Sequence, residues 1–306
     1  VTVAFFKLHV AGNDFILVDR ERPGHEELFA RPDALEALAG ALVDRQRGVG
    51  ARAVIFAGGG QRERGPLALR VFYSDGAERY DGGDAFLCAA RWALDSGRAG
   101  GGKIAFSTPS GERVLRALDS RSFSMELDPP GTFLGDRPGA LRSEDGREAR
   151  VELLLDGQSA AAYLIEQKNR YAVALGRRQG IRASRLKAAL LAAAPGAVPV
   201  VARTVGRDQV AFASGALEDR LGAAAAAACA AMFAGRVDEE VVAEWRGRGA
   251  AASFADFGAQ RPIPQAGAGP GILIDRGRFY IDWKRPERIL AAGMAEYAFD
   301  GNFDFY

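Results

Sequence analysis

Two stretches decide how this chain is read: SDGAERYDGGDAFLCAA, from Ser74 to Ala90, and ASGALEDRLGAAAAAACAA, from Ala213 to Ala231. Each runs from a turn through acidic residues and glycine into an apolar helix carrying Cys-Ala-Ala. Gly76 lies 12 residues before Cys88, and Gly215 lies 14 before Cys229. One glycine-led helix in each half implies an internal duplication, with two similar α/β lobes facing one another.

Working outward, the first half reads as strands over Thr2–Leu8 and Phe15–Asp19 around a Gly12-Asn13-Asp14 turn. Pro32-Asp33 opens a helix with Leu35, Leu38, Ala39 and Leu42 at helical spacing. Strands follow over Val54–Ala57 and Leu67–Tyr73, either side of a Gly/Arg-rich loop, Gly58–Gly65. Gly82-Gly83-Asp84 leads into a helix ending near Ser96, and strands cover Ile104–Ser107, Arg113–Leu118 and Phe123–Leu127. Asp128-Pro129-Pro130-Gly131 begins a polar linker to about Arg147. The pattern then restarts, with strands over Val151–Leu155, Ala161–Glu166 and Tyr171–Leu175 and a helix over Ser184–Ala194. Strands Val198–Val201 and Gln209–Ala213 precede a helix over Gly222–Phe233. A loop at 253–270 and strands Ile272–Asp275, Phe279–Trp283 and Ala295–Phe299 close the chain.

Bulk composition narrows the function. A chain of 306 residues suits two domains and buries a core without metal or disulfide help. Forty basic against 39 acidic side chains leave a net charge of +1, which argues against nucleic acid or an anionic membrane as the main partner. Two cysteines and two histidines make neither a disulfide framework nor a metal set. The longest apolar run, near Ala223–Phe233, falls short of the roughly 20 residues of a membrane span. The opening VTVAFFKLHVAGNDF reads as strand and turn rather than as a leader peptide. The expectation is a cytoplasmic protein with no metal and no cofactor.

A helix N-terminus carries unpaired N–H groups and partial positive charge. Glycine there lets a ligand approach closely, so two such termini suit a carboxylate. Asp81 and Asp84 flank the first terminus, and Glu218 and Asp219 precede the second. Each is either a general base or a cap complementing the dipole. Cys88 and Cys229 lie six and seven residues beyond Gly82 and Gly222, about 9–10 Å down the axis. There they read as small buried side chains. His9 reads as a half-buried strand residue, and Arg62, Arg64, Arg177 and Arg178 as solvated loop charge.

Several segments, taken in order and spacing, resemble diaminopimelate epimerase across nearly the whole chain. They are Phe6-Lys7-Leu8-His9 with Gly12-Asn13-Asp14-Phe15 and Val18-Asp19; Asp44-Arg45 with Gly48-Val49-Gly50; Asp75-Gly76-Ala77-Glu78; Ser107-Thr108 with Gly111; and Met125-Glu126. Asn169-Arg170-Tyr171-Ala172-Val173 and Ala292-Gly293-Met294-Ala295-Glu296-Tyr297 complete the set. The resemblance implies an α+β fold of two similar lobes of mixed sheet, each wrapped around a central helix, with a ligand cleft between them. The N-terminal lobe would be 1–128, joined by 290–306, and the C-terminal lobe 129–289. The family works without cofactor, by two thiols that remove and return one proton, and its members often pair as homodimers. Asn13, Asn169, Gly82, Gly83, Gly222 and Ala223 fall at the substrate-binding positions that the resemblance implies.

The same resemblance shows departures. Where the family has Cys-Gly-Asn-Gly, this chain has Gly82-Gly83-Asp84-Ala85, and counting from Glu218 places the second thiol position at Gly222. Both thiol positions are glycine. Gly50-Ala51-Arg52-Ala53, Ser74, Ala213-Ser214 and Val205 depart from positions that grip the substrate.

Function then divides. The first reading is a cofactor-independent isomerase on a small amino-acid-like or carboxylic-acid substrate, with Asp84 and Glu218, or Asp219, as acid–base groups. The related phenazine-biosynthesis isomerases use carboxylates in this way. A carboxylate is a weak base unless burial raises its pKa. The second reading is a non-catalytic ligand-binding or partner paralogue, which the alanine run Ala223–Ala228 fits. The third is a thiol-dependent epimerase or racemase using Cys88 and Cys229 after a register shift in both helices.

Overall fold

The computed structural model describes residues 1–25, 32–59, 65–80, 82–100, 102–132, 140–142, 149–155, 158–176, 183–214, 219–245, 277–284 and 287–305. The alternating N-terminal sequence forms a hairpin of β1 (Thr2–Val10) and β2 (Asn13–Asp19). Ala11 and Gly12 join them at φ 50° and 79°, the two-residue turn whose twist matches paired strands. Next come α1 (Pro32–Val43), β3 (Ala53–Gly58), β4 (Leu67–Tyr73), α2 (Gly83–Asp95), β5 (Lys103–Thr108), β6 (Gly111–Ala117) and β7 (Ser122–Leu127).

The second half contributes β8 (Gly131–Thr132), β9 (Ala140–Arg142), β10 (Ala149–Leu155), β11 (Gln158–Glu166), β12 (Arg170–Leu175), α3 (Ala183–Ala193), β13 (Val198–Thr204) and β14 (Gln209–Ser214). It continues with α4 (Arg220–Phe233), β15 (Glu240–Trp245), β16 (Arg278–Lys284) and β17 (Arg288–Met294). The last strand, β18 (Glu296–Asp304), pairs antiparallel with β1, from Thr2 opposite Asp304 to His9 opposite Glu296. Residues 1–125 and 293–306 form one compact unit, and 126–292 form another.

The two units repeat one topology. In the first, β1 to β6 pair in order as antiparallel, parallel, antiparallel, parallel, antiparallel, with β7 antiparallel to β6. In the second, β11 to β17 follow the same sequence of pairings. The two parallel steps in each unit are helical crossovers: α1 and α2 in the first, α3 and α4 in the second.

Strand periodicity sorts the side chains between two helices. One face of the first sheet (Val3, Phe5, Ile16, Val18, Val54, Phe56) packs on Leu35, Leu38, Ala39 and Leu42 of α1. Each fully buried leucine there contributes about 1.5–3 kcal/mol. The opposite face meets α2, which lies against β1, β2, β3 and β6. In the second unit, Leu186 and Leu190 of α3 pack on Ala172, Ala174, Leu164 and Val201, and α4 lies against β11 through β16. Residues Arg220 through Met232 of α4 are all buried. A helix apolar on every side belongs in a core, and the alanine run lets strands approach it from all directions. The α+β class, with a helix at the heart of each sheet, agrees with the sequence expectation.

Some details differ. The second central helix starts at Arg220, not Gly222, because Asp219 takes the N-cap position. Strands β8 and β9 form inside the stretch expected as a polar linker, and β15 and β17 also lie outside the expected set. The expected strand Ile272–Asp275 and the loop at 253–270 lie outside the described residues. No helix among the described residues is long and apolar enough to cross a membrane.

Candidate active-site elements

In the first unit, Asn13 opens β2 opposite Val10. Ile16 and Val18 face α1, so Asn13, Phe15 and Leu17 face α2. Gly82 is the N-cap of α2, with φ −92° and ψ 119°, and Asp84 lies in its first turn. Asn13 Nδ2 donates to Asp84 Oδ2 at 2.8 Å. Both residues are buried, Asp84 with no exposed surface. A buried carboxylate needs donors and a favourable field, and the helix N-terminus supplies positive potential. The structure thus gathers Asn13, Gly82, Gly83 and Asp84 at the start of α2. Asp81 lies outside the described residues.

The hairpin tip is clamped from outside. Asp14 Oδ2 lies 2.8 Å from Lys7 Nζ, and Arg45 reaches both Asp14 oxygens at 2.7 and 3.2 Å. Burial opposes the Asp14 charge, but the bonds from Arg45 and Lys7 outweigh it and hold the carboxyl below its usual range. Lys7 also donates to the Gly50 carbonyl. Gly50 sits at φ +75°, where a Cβ would press on Arg45 Cα at 3.0 Å. The Asp44-Arg45 and Gly48-Val49-Gly50 segment is therefore a brace for the hairpin. The Asp75-Gly76-Ala77-Glu78 turn is tied back to β4: Glu78 accepts a two-pronged bond from Arg70 at 2.6 and 2.7 Å and a bond from Tyr80. Arg70 foremost keeps the Glu78 carboxyl below its usual range.

Cys88 lies one turn beyond Asp84 and is fully buried. Burial, then the charges of Asp84 and Asp14, push its thiol well above the ordinary value. His9 pairs with Asp14 and so shares the sheet face opposite to Asn13. His25 is structural: its Nε2 accepts from Ala4 N–H at 3.2 Å, and its Nδ1 donates to the Asp19 carbonyl at 2.7 Å.

In the second unit, Tyr171 is the first β12 residue paired to β13, as Phe15 is the first of β2 paired to β3. Asn169 and Asn13 each stand two residues earlier, so they hold matching places. Asn169 is half-buried in the turn before β12, its carbonyl accepting from Gln167 N–H at 2.9 Å. Glu218 and Gly215 lie outside the described residues, as do Arg62, Arg64, Arg177 and Arg178. Asp219 caps α4: Oδ1 accepts from Gly222 N–H and Oδ2 from the Tyr171 hydroxyl, both at 2.9 Å. Ala223 N–H donates to the Asp219 carbonyl at 3.2 Å. The N–H groups of Gly222 and Ala223, expected to meet substrate, are thus engaged within the helix cap. A Cβ on Gly222 would lie 2.0 Å from Asp219 Oδ2 and 2.2 Å from the Tyr171 hydroxyl. Tyr171 was not singled out from sequence, because its partner is 48 positions away. Cys229 is fully buried like Cys88. Among the described residues, no group of three or more His, Cys, Asp and Glu could hold a metal ion.

No protein-family model matches the chain. It is 31% identical over 173 residues to an O-ureido-serine racemase of Streptomyces lavendulae, covering 56% of this chain and 57% of that protein. It is also 31% identical over 173 residues to a diaminopimelate epimerase of Synechococcus sp. (strain JA-3-3Ab), covering 56% and 58%. The matched region thus spans a little over half the length of these curated relatives. Among solved structures, a phenazine biosynthesis protein of the PhzF family from Enterococcus faecalis matches with TM-score 0.61 at 14% identity, covering all of both chains. A hydroxyproline epimerase from Agrobacterium vitis, with bound trans-4-hydroxy-L-proline, matches with TM-score 0.54 at 12% identity, covering 98% of this chain and 92% of that one. The chain shares the fold of these two structures and over 56% of its length is similar in sequence to an O-ureido-serine racemase and a diaminopimelate epimerase.

Proposed function

Taking the chain as a divergent relative of the diaminopimelate epimerases, we propose that it is a cofactor-independent isomerase. Its substrate is a small amino-acid-like or carboxylic acid, and its acid–base groups are carboxylates rather than thiols. The observation that carries this reading is Asp84, buried at the start of α2 and held by Asn13, beside a glycine at the family's first thiol position. Asp84 takes the proton from the substrate carbon. The electron pair left behind moves into the adjacent carboxyl, where the N-terminus of α2 at Gly82 and Gly83 favours the growing negative charge. Glu218 or Asp219 is the other acid–base group of this reading. Asn13 and Asn169 are its substrate-binding residues. A cytoplasmic homodimer belongs to the same reading.

The test is solvent-deuterium incorporation into amino and carboxylic acids, followed by NMR. Loss of exchange in Asp84→Asn but not in Cys88→Ser supports the carboxylate reading; the reverse pattern sinks it in favour of a thiol. One observation favours the alternative of a non-catalytic binding paralogue: the N–H groups of Gly222 and Ala223 are already engaged by Asp219. Saturable binding of such an acid without any exchange would select it.

A further inference from the structure

Resting on the isomerase reading above, we propose that Arg52 and Arg79 form a subsite for a second carboxylate on the substrate, so that the ligand is an acidic amino acid or another dicarboxylic acid. Both residues belong to the first unit. Arg52 stands in the Gly50-Ala51-Arg52-Ala53 segment, and Arg79 lies three residues before Gly82, the N-cap of α2.

The backbone sets Arg52 beside the residues already gathered at the start of α2. Its N–H donates to the Asp14 carbonyl at 2.9 Å, and its carbonyl accepts from Ser74 N–H at 3.1 Å. Asp14 follows Asn13, whose amide holds Asp84. Phe72 packs on α1, so Tyr73 faces the α2 side of the sheet. The Arg79 guanidinium lies over the Tyr73 ring, 4.5 Å from its centre, and so belongs to that side as well.

Charge singles the pair out. Burial foremost holds the Arg52 pKa below its usual range; Tyr73 and Asp75 oppose this, and the positive charges of Arg79 and Arg45 add to it. Three guanidiniums therefore act on one another here. Arg45 is matched by Asp14, and Arg79 by Asp75 at 2.8 Å. A surface ion pair accounts for Arg79, but not for a second guanidinium half-buried beside it. Like charges in such a setting are relieved by a further anion. The Arg79 side chain is 30% exposed and that of Asp75 54%, so the place is open to solvent. A planar guanidinium matches a carboxylate through two parallel bonds. The carboxyl next to the reacting carbon then meets the N-terminus of α2, and the second carboxylate meets the guanidiniums.

The experiment measures binding of glutarate and of butyrate to the full chain by calorimetry at low salt. The wild type should bind glutarate at least tenfold more tightly. Arg52→Gln and Arg79→Gln should each weaken glutarate about tenfold or more and bring it level with butyrate. Arg116→Gln, which removes an equal charge from the exposed side of β6, should bind as the wild type does. Thermal unfolding shows whether each variant folds, and Arg79→Gln carries the comparison alone should Arg52→Gln not fold. Equal binding of the two acids by the wild type, or equal weakening by Arg52→Gln and Arg116→Gln, overturns the inference. Deuterium exchange into glutamate and serine tests the reading beneath it. Exchange lost in Asp84→Asn, beside equal binding of the two acids, leaves the isomerase standing and removes the subsite. A glutarate preference that needs Arg52 and Arg79, beside exchange that survives Asp84→Asn or is absent from the wild type, keeps the subsite and overturns the isomerase.

Discussion

The Asn13 amide and the Asp84 carboxylate are 71 positions apart in the chain and 2.8 Å apart in space. This bond ties the first residue of β2 to the first turn of α2, so the hairpin turn and the central helix set each other's position. Replacing Asn13 with leucine removes a donor from a buried acceptor, which costs about 1–3 kcal/mol. Urea unfolding should show that loss in Asn13→Leu, with the midpoint falling and the slope unchanged. An unchanged midpoint would mean that the bond carries no weight in solution.

Gly222 gives the sharper steric case. A methyl there cannot coexist with Asp219 and Tyr171 as they stand, and overpacking of this kind costs about 1–3 kcal/mol. Gly222→Ala should be destabilised by that order. In an Asp219→Ala, Tyr171→Phe background the same change should cost much less, because the carboxylate and the hydroxyl that crowd Gly222 are both gone. A double-mutant cycle measures the coupling directly, and additive costs would contradict the crowding.

Acid sensitivity should trace in part to Asp14. Its folded-state pKa lies below the ordinary 3.8: burial opposes this, but Arg45 and Lys7 more than offset it. A depressed carboxyl adds stability that is complete above the unfolded value and fades as pH falls through the folded one. Wild-type stability should therefore drop on acidification below about pH 4. Asp14→Asn should start lower at neutral pH and fall less steeply over the same range. Chemical unfolding of both proteins at pH 7 and pH 3 checks it; parallel losses would remove Asp14 from the account.

The legible part of the fold was the part written in local pattern. The alternation in β1 and β2 and the paired glycines before Asp84 read correctly because each depends on neighbours in sequence. Local pattern places the start of α4 at Gly222, two residues late, because the actual cap, Asp219, is bonded to Tyr171, 48 positions away. Strand β15 was missed because only Val241 and Ala243 bury fully while acids mark its exposed side; six such residues give little periodicity. Asn13 stood out as a turn residue, but its bond to Asp84 exists only once β4 and α2 have folded back. Why Gly222 is a glycine was invisible for the same reason: the cause is a hydroxyl on another strand.

The cysteines yield the last expectation. Both are fully buried, and the Cys88 thiol is pushed up by burial and by the charges of Asp84 and Asp14. Thiolate is the reactive form, so a buried thiol with a raised pKa resists alkylation until the helix around it opens. Iodoacetamide at pH 8 should label neither residue in the native protein, and both in urea. Where labelling does occur under native conditions, its rate should follow local or global opening and rise in Asn13→Leu, which loosens the hairpin beside α2. Fast native labelling of Cys88, equal in wild type and variant, would show the sulfur to be accessible and would return the thiol mechanism to contention.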